Sequence, residues 1–317
     1  MSELTELQMA SKNHGTQGAA ENYNAVKTLT PLTDDEESYK EAYLNGFAKI
    51  ACKEEILLHV TQTFDNVVWG KLQETFTAET DMRALGIGIG VGEHELNILQ
   101  RLQSYYKRIT QVVVEPNGMM LQAFKDKVRN FDLSKSVVTE VFHGTQQDFI
   151  RKRRHDDVKF NLITSVHSLY YVDDLEKTLE QLLGMLKPHG ILLVHIQCED
   201  DLMHMMYREK PWLLSNHNHK LFFTSKDVVD CVRNKVCDVT CFPMKISYDI
   251  TELFQEYSSL GNRILDFFSS QSHFRDTAPA HVVKEIVGFC RGHSKRDDRG
   301  RFITHSTDCC IVVVNSE

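Results

Sequence analysis

The sequence has no excess of positive charge, no long apolar run and no cysteines at Cys-x-x-Cys spacing. The first absence bears on partners. With 36 Lys and Arg against 44 Asp and Glu, the formal net charge is −8, and the chain lacks the basic face that a general grip on nucleic acid requires. The second absence excludes a helical membrane span, which needs about 18 consecutive apolar residues. The opening residues MSELTELQMASKNHGTQGAAENYN also lack the basic start and apolar stretch of a secretory signal. The expected compartment is therefore the cytoplasm, and the eight cysteines are expected to be free, buried thiols. The third absence leaves no zinc-ligand spacing, so no metal is expected, and the run from His217 to His219 is expected to be a solvated loop. No internal repeat is present.

What the 317 residues do contain is an ordinary globular balance, 42% hydrophobic and 25% charged, enough for one large α/β core with a smaller appended part. Residues 1–34 are polar and without period, which predicts a mostly disordered tail. Tyr39, Tyr43, Phe47 and Ile50 lie at helical spacing, so residues 35–78 are expected to be N-terminal helices, one from Tyr39 to about Leu58 and another near Thr61–Phe76. Strand signals then recur at Leu85–Gly88, Gln111–Glu115, Val137–Phe142, Phe160–Thr164 and Gly190–Gln197, with helical stretches between them. Such alternation over residues 79–200 means a doubly wound, mostly parallel sheet covered on both faces. Residues 201–317 are less regular, with two further strands expected at Asp238–Phe242 and Thr307–Val314 and a charged hairpin or loop at Arg291–Arg301.

The chemistry centres on Leu85-Gly86-Ile87-Gly88-Ile89-Gly90-Val91-Gly92-Glu93. Four alternating glycines after a strand and before a helix let backbone approach a ligand closely and expose unpaired helix amides to it. The second strand ends in Glu115, a carboxylate placed to accept both ribose hydroxyls of an adenosine ligand. Dinucleotide enzymes share both features, so this pair leaves NAD and S-adenosylmethionine open. Val166-His167-Ser168-Leu169-Tyr170-Tyr171-Val172 after the fourth strand sets a polar residue and aromatics beside the crevice, which favours S-adenosylmethionine. Thr145–Phe149, after the third strand, offers hydrogen bonds to an adenine edge.

From about Tyr39 onward the chain resembles the histamine N-methyltransferase family, with its carnosine N-methyltransferase branch most similar. The resemblance rests on LGIGIGVGE, on VVVEP at Glu115, on HSLYYV at 167–172, on LDFFSSQSHFRDTAP at 265–279 and on the closing strand. It implies a class I methyltransferase fold, a Rossmann-like seven-stranded sheet with a smaller helical substrate-binding part, acting as a monomer with S-adenosyl-L-methionine. By resemblance, Gly88, Gly90, Glu115, Met120, Gln146 and Val166 contact the cofactor, Met120 standing for a glutamine and Gln146 for a serine. Tyr39, Tyr43, Tyr170, Tyr171 and Phe267 match aromatic walls of the amine pocket.

The polar contacts that the family makes to histamine differ in this sequence. A glutamate is replaced by Cys52 (with Glu54 and Glu55 near), a glutamine by His167 and an asparagine by Ser306, beside His305. An ammonium without its acid is costly to bury, whereas a substrate with its own carboxylate could meet Lys53 or Lys220. The expected reaction is therefore N-methylation of an imidazole, carnosine to anserine, with His167 as the catalytic residue. Histamine is the alternative substrate. An inactive methyltransferase-fold binding protein is the alternative of another class.

Overall fold

Five of the strands among the described residues are mostly apolar runs, and a strand apolar on both faces must sit inside a sheet covered on both sides. The computed structural model describes residues 18–51, 53–135, 137–153, 157–217, 222–233, 235 and 237–316. Cys52, His219 and Lys220 lie outside them. No helix among the described residues is long and apolar enough to cross a membrane.

The chain divides into two units. The larger comprises Cys52–Asp201, Leu221–Ser247 and His305–Glu317. Its strands are β1 (Asp81–Ile87), β2 (Arg108–Glu115), β3 (Val137–His143), β4 (Phe160–Val166), β5 (Leu186–Gln197), β6 (Cys237–Asp249) and β8 (Phe302–Asn315), the last two running across the unit boundaries. The sheet order is β3-β2-β1-β4-β5-β8-β6, with the first five parallel and β8 antiparallel to β5. This is the doubly wound sheet expected from the alternation of elements.

The register around β5 positions the site. His195 stands opposite Val166 on one side and Cys310 on the other, and Gln197 stands opposite Asp308. Cross-strand partners share a face and successive residues alternate. Ser306, Asp308 and Cys310 therefore share the face of His195, while Cys309, Ile311 and Val313 take the opposite one. That opposite face packs against Leu179 and Leu182 of the helix Leu175–Gly184 and Val228 of Ser225–Arg233. The His195 face meets Val60 of Lys53–Thr63 and Leu99 of Glu93–Gln103.

The smaller unit comprises Met1–Ala51, Leu202–Lys220 and Tyr248–Thr304. Here the expectation of a disordered tail through residue 34 needs correction. Residues 18–27 form a helix, Val26 and Leu32 are buried, and Asn22 donates to Glu285 at 2.7 Å. The following stretch pairs its backbone with residues 270–272, Leu32 N–H donating to Ser270 and Ser272 N–H to Thr30, both at 2.9 Å. The polar outer face of that helix hid two apolar anchors.

The expected single helix from Tyr39 to about Leu58 is also corrected. It runs as Glu36–Ala42, widens over Tyr43–Phe47, and breaks at Ala51, whose ψ is 140°. The widened turn closes against the helix Ser259–Ser269 because Gly46 has no side chain: a Cβ there would lie 2.7 Å from Arg263 Cβ. The unit boundary falls at this break, so residues 35–78 do not form one group. Residues 201–317 are likewise shared between the units. The Arg291–Arg301 segment is a hairpin, β7 (Lys295–Arg296) pairing with Phe302 and Ile303. His217 is buried rather than solvated, bonded to the Ser270 carbonyl at 3.0 Å. The seven described cysteines are free.

Candidate functional site

The glycine turn at the end of β1 has two jobs, divided among its residues. Gly88, Gly90 and Gly92 have φ of 60°, 54° and 71°, a left-handed backbone that side-chain-bearing residues rarely adopt. Gly88 and Gly92 are packed inward: a Cβ would lie 2.4 Å from Ser168 Cβ at the first and 2.2 Å from the Phe124 ring at the second. Gly90 is different, since a Cβ there would meet nothing within 4 Å. It opens on space that a ligand can fill.

Beside it, the Glu115 carboxylate is buried and held from both sides. Oε2 accepts from Gly90 N–H at 2.8 Å and Oε1 from Asn117 N–H at 2.9 Å. An ionised carboxylate has about four acceptor sites, more than these two backbone donors use. Asn117 also caps the helix Gly118–Arg129 by accepting from Met120 N–H. Met120 itself is fully buried. Across the strand ends, Thr145 caps the helix Gln146–Lys152, and the buried Gln146 amide has an Nε2 with no hydrogen-bond partner. An open glycine turn, an anchored carboxylate and an orphaned buried donor fit the backbone side, ribose and adenine edge of an adenosine cofactor.

Sequence reasoning missed Glu95, which lies directly under the turn. It is fully buried and contacts the position of Gly86. Burial pushes its carboxyl up to about 7, against a weaker lowering by hydrogen bonds that include Thr164.

The second cluster is built by the register described above. His167, one residue past β4, holds φ at 50°, uncommon for a residue with a side chain. Its Nε2 lies 3.1 Å from Asp308 Oδ2 and 3.2 Å from His195 Nδ1. The other nitrogen of His195, Nε2, lies 3.4 Å from His59 Nδ1, which is also 3.8 Å from Cys310 Sγ. Asp308 is fully buried, and neither oxygen accepts a well-directed hydrogen bond. Ser306 donates to Asp201 at 3.2 Å.

These surroundings fix the charges. Burial disfavours the charged form of His167, but the nearby carboxylates of Asp308 and then Asp201 hold the ring above its ordinary value. His195 is driven well below its ordinary value by burial and then by His167, His94 and His59. Burial also takes His94 down to about 4 and lowers His59, the latter partly opposed by Asp308. The site is thus not short of acid. Asp201 and Asp308 stand behind Ser306 and His167, which corrects the picture of a pocket without a counter-charge. The signal in the sequence was Asp308 directly before the apolar stretch CCIVVV and, for its neighbour His195, a lone His inside GILLVHIQ.

The expected aromatic walls fall into two groups. In the smaller unit Tyr43 lies 6.3 Å from Tyr39 and 5.9 Å from Phe267, and Phe47 stacks on Phe267 at 4.5 Å. In the larger unit Tyr170 is 4.6 Å from Tyr171, stacks on Phe222 at 4.7 Å, and lies 6.3 Å from the His167 ring. Phe47 was legible only as part of the helical face of Tyr39 and Tyr43, and Phe222 was not anticipated.

Comparison with known proteins agrees with this geometry. Residues 64–238, more than half of the chain, match a family model described as a methyltransferase domain. The chain is 23% identical over 267 residues to histamine N-methyltransferase of Rattus norvegicus, covering 82% of this chain and 88% of that one. It is 25% identical over 230 residues to carnosine N-methyltransferase 2 of Gallus gallus, covering 71% of each. Among solved structures it is similar in fold to the YcgJ protein of Bacillus subtilis, with a TM-score of 0.51, 15% identity, and 78% and 99% of the two chains covered.

Proposed function

The chain belongs to the methyltransferase-domain family, and from that premise we propose that it transfers the methyl group of S-adenosylmethionine to a ring nitrogen of a small imidazole compound, carnosine before histamine, as a cytoplasmic monomer. The observation that carries the cofactor half is the anchored Glu115 carboxylate beside the open turn at Gly90. The imidazole half is supported by the relatives, whose names give histamine and carnosine as substrates, and by the His167 ring placed 3.1 Å from the buried Asp308 carboxylate.

When bound, the cofactor supplies a methyl carbon on a positively charged sulfur. The protein's part is alignment, exclusion of water and control of one proton. Glu115 accepts the ribose hydroxyls, Gln146 Nε2 donates to the adenine edge, and Val166 gives an apolar contact. Gly90 leaves room for the backbone side of the ligand. His167 accepts the N–H of the ring nitrogen that is not methylated, through the Nδ1 that faces neither Asp308 nor His195, and Asp308 stabilises the imidazolium that results. This is the pairing logic of an oriented histidine base.

Carnosine is favoured because Cys52, His167 and Ser306 replace the three residues with which the resembling family holds histamine, and because Lys53 can meet a carboxylate. A specific observation favours histamine: Asp201, bonded to Ser306, can meet an ammonium. The test is a labelled methyl-transfer panel over carnosine, histamine and histidine. Carnosine is expected to exceed histamine in kcat/KM by at least about tenfold, roughly 1.4 kcal/mol in transition-state binding. A preference for histamine overturns the substrate assignment, and no transfer to any of the three overturns the imidazole reading.

A further inference from the structure

The histidine contacts run head to tail. His167 Nε2 faces His195 Nδ1, and His195 Nε2 in turn faces His59 Nδ1, at 3.2 Å and 3.4 Å. With one proton on each Nε2, both contacts have one donor and one acceptor, all three rings are neutral, and the Nδ1 lone pair of His167 is left to accept a proton. His195 is fully buried between two partly exposed ends, His167 at the site and His59 on the helix Lys53–Thr63.

We propose that His167, His195 and His59 form a proton exit path, carrying to solvent the proton that the imidazole substrate sheds on methylation. The inference rests on the imidazole reading above. When the substrate nitrogen takes the methyl group, its lone pair forms the C–N bond and the C–S electron pair returns to sulfur, leaving an uncharged thioether and a cationic ring. That ring's remaining N–H proton passes to His167 Nδ1. The Nε2 proton of His167 moves to His195 Nδ1, that of His195 Nε2 to His59 Nδ1, and the Nε2 proton of His59 leaves to water. Each histidine ends neutral with its proton on Nδ1; after product release one proton taken up at His59 Nε2 and one lost from His167 Nδ1 to water entering the emptied site restore the starting state.

The surroundings suit transfer rather than storage of charge. Asp308, Asp201 and His94 face His167. The charges facing His195 come from His167, His94 and His59, and Asp308 and Cys310 are the neighbours of His59. Asp308 is close enough to stabilise a passing charge on His167, and burial keeps His195 from holding one. The Cys310 thiol, pushed up to about 12 by burial, stays protonated and does not intercept the proton. His195 and His59 act only through His167, so they are positioning residues. With the Nε2 protons removed the same side chains could instead surround a metal ion, since ligand atoms of His167, His195 and Asp308, or of His59, His195 and Cys310, lie within 4.8 Å of one another. Both sets claim His195, and a metal in either would block the path.

The experiment compares full-length wild type, H59Q and H195Q, each checked by melting, in single-turnover and steady-state assays with carnosine at low and high phosphate. The expected result is an unchanged single-turnover methyl transfer with steady-state kcat lowered by about tenfold or more, less than the 10²–10⁴ of a directly placed base. A burst of one methyl per site then appears, and added phosphate restores turnover. H59Q carries the test if the buried H195Q variant fails to fold. Loss of single-turnover and steady-state rates together, without response to phosphate, overturns the path, as does stoichiometric metal in the purified wild type. Wild-type turnover with unaffected variants removes only the exit path, whereas a wild type inert towards imidazoles removes the proposed function as well.

Discussion

Replacing Glu115 by alanine separates the two tasks of one carboxylate, and both effects can be sized. In the free protein its oxygens accept from Gly90 and Asn117 N–H. Alanine leaves two amides without that acceptor, at about 1 kcal/mol each towards the low end for a buried unsatisfied donor. Stability should fall by about 2 kcal/mol, or about 4–8 °C in Tm for a domain of this size. Binding suffers separately, through lost hydrogen bonds from ribose hydroxyls to a charged acceptor. That loss is about 2–3 kcal/mol, so S-adenosylmethionine should bind roughly 30- to 150-fold more weakly. Glu115→Gln keeps the shape and one acceptor oxygen but no charge, and should fall between wild type and alanine. Calorimetric titration with S-adenosylmethionine and its demethylated product reads the affinity, and thermal melting without ligand reads the stability. A folded Glu115→Ala protein whose affinity stays within about twofold of wild type would refute the ribose assignment, because no hydrogen bond to a carboxylate is worth so little.

The acid limb of kcat/KM should reflect His167, which the Asp308 carboxylate holds above its ordinary value; protonation there removes the acceptor, so Asp308→Asn should move that limb to lower pH, and an unmoved limb sinks the pairing. Glu95 is raised in the folded state to about 7 from 4.5, so the folded protein binds the extra proton between those values and stability should fall as pH rises through them. Glu95→Gln should abolish that slope and be more stable at pH 8 by up to about 3 kcal/mol, and equal denaturation curves at pH 8 would count against a neutral buried carboxyl. Deleting the segment that includes residues 18–34 should cost about 3–6 kcal/mol for the burial of Val26 and Leu32, and an unchanged Tm would contradict their packing.

The parts of the site that were legible in the sequence are those whose signal is local. A glycine alternation after a strand and an acid at the next strand's tip are read within a few residues, so Gly90 and Glu115 could be proposed as cofactor contacts before any fold was known. His167 was visible for the same reason, beside its tyrosines. Its partners were not. His195, Asp308 and His59 stand far apart in sequence and meet only because β5 lies between β4 and β8 in one particular register. Each broke the apolar pattern around it, which marks a buried polar residue but does not name what it faces. The tail was misread because composition averages over a helix, and two buried anchors among polar residues scarcely alter the mean. The break at Ala51 was masked by helical periodicity on both sides of it.

The alternation along β8 makes this strand intolerant of length changes. Sliding its pairing by one residue, as a single deletion near Ile303 would do, turns Cys309 and Ile311 towards His195 and sends Asp308 into the layer occupied by Leu179, Leu182 and Val228. A carboxylate among leucines has no partner there, so the slipped pairing is penalised at the same position that makes the correct one useful. Substitutions can therefore tune the site residue by residue, whereas insertions and deletions within the paired part of β8 shift every residue beyond them. Variation in length should instead collect in the Asp297–Gly300 turn, where the backbone reverses in solvent and only the short pairing of β7 with Phe302 and Ile303 depends on it.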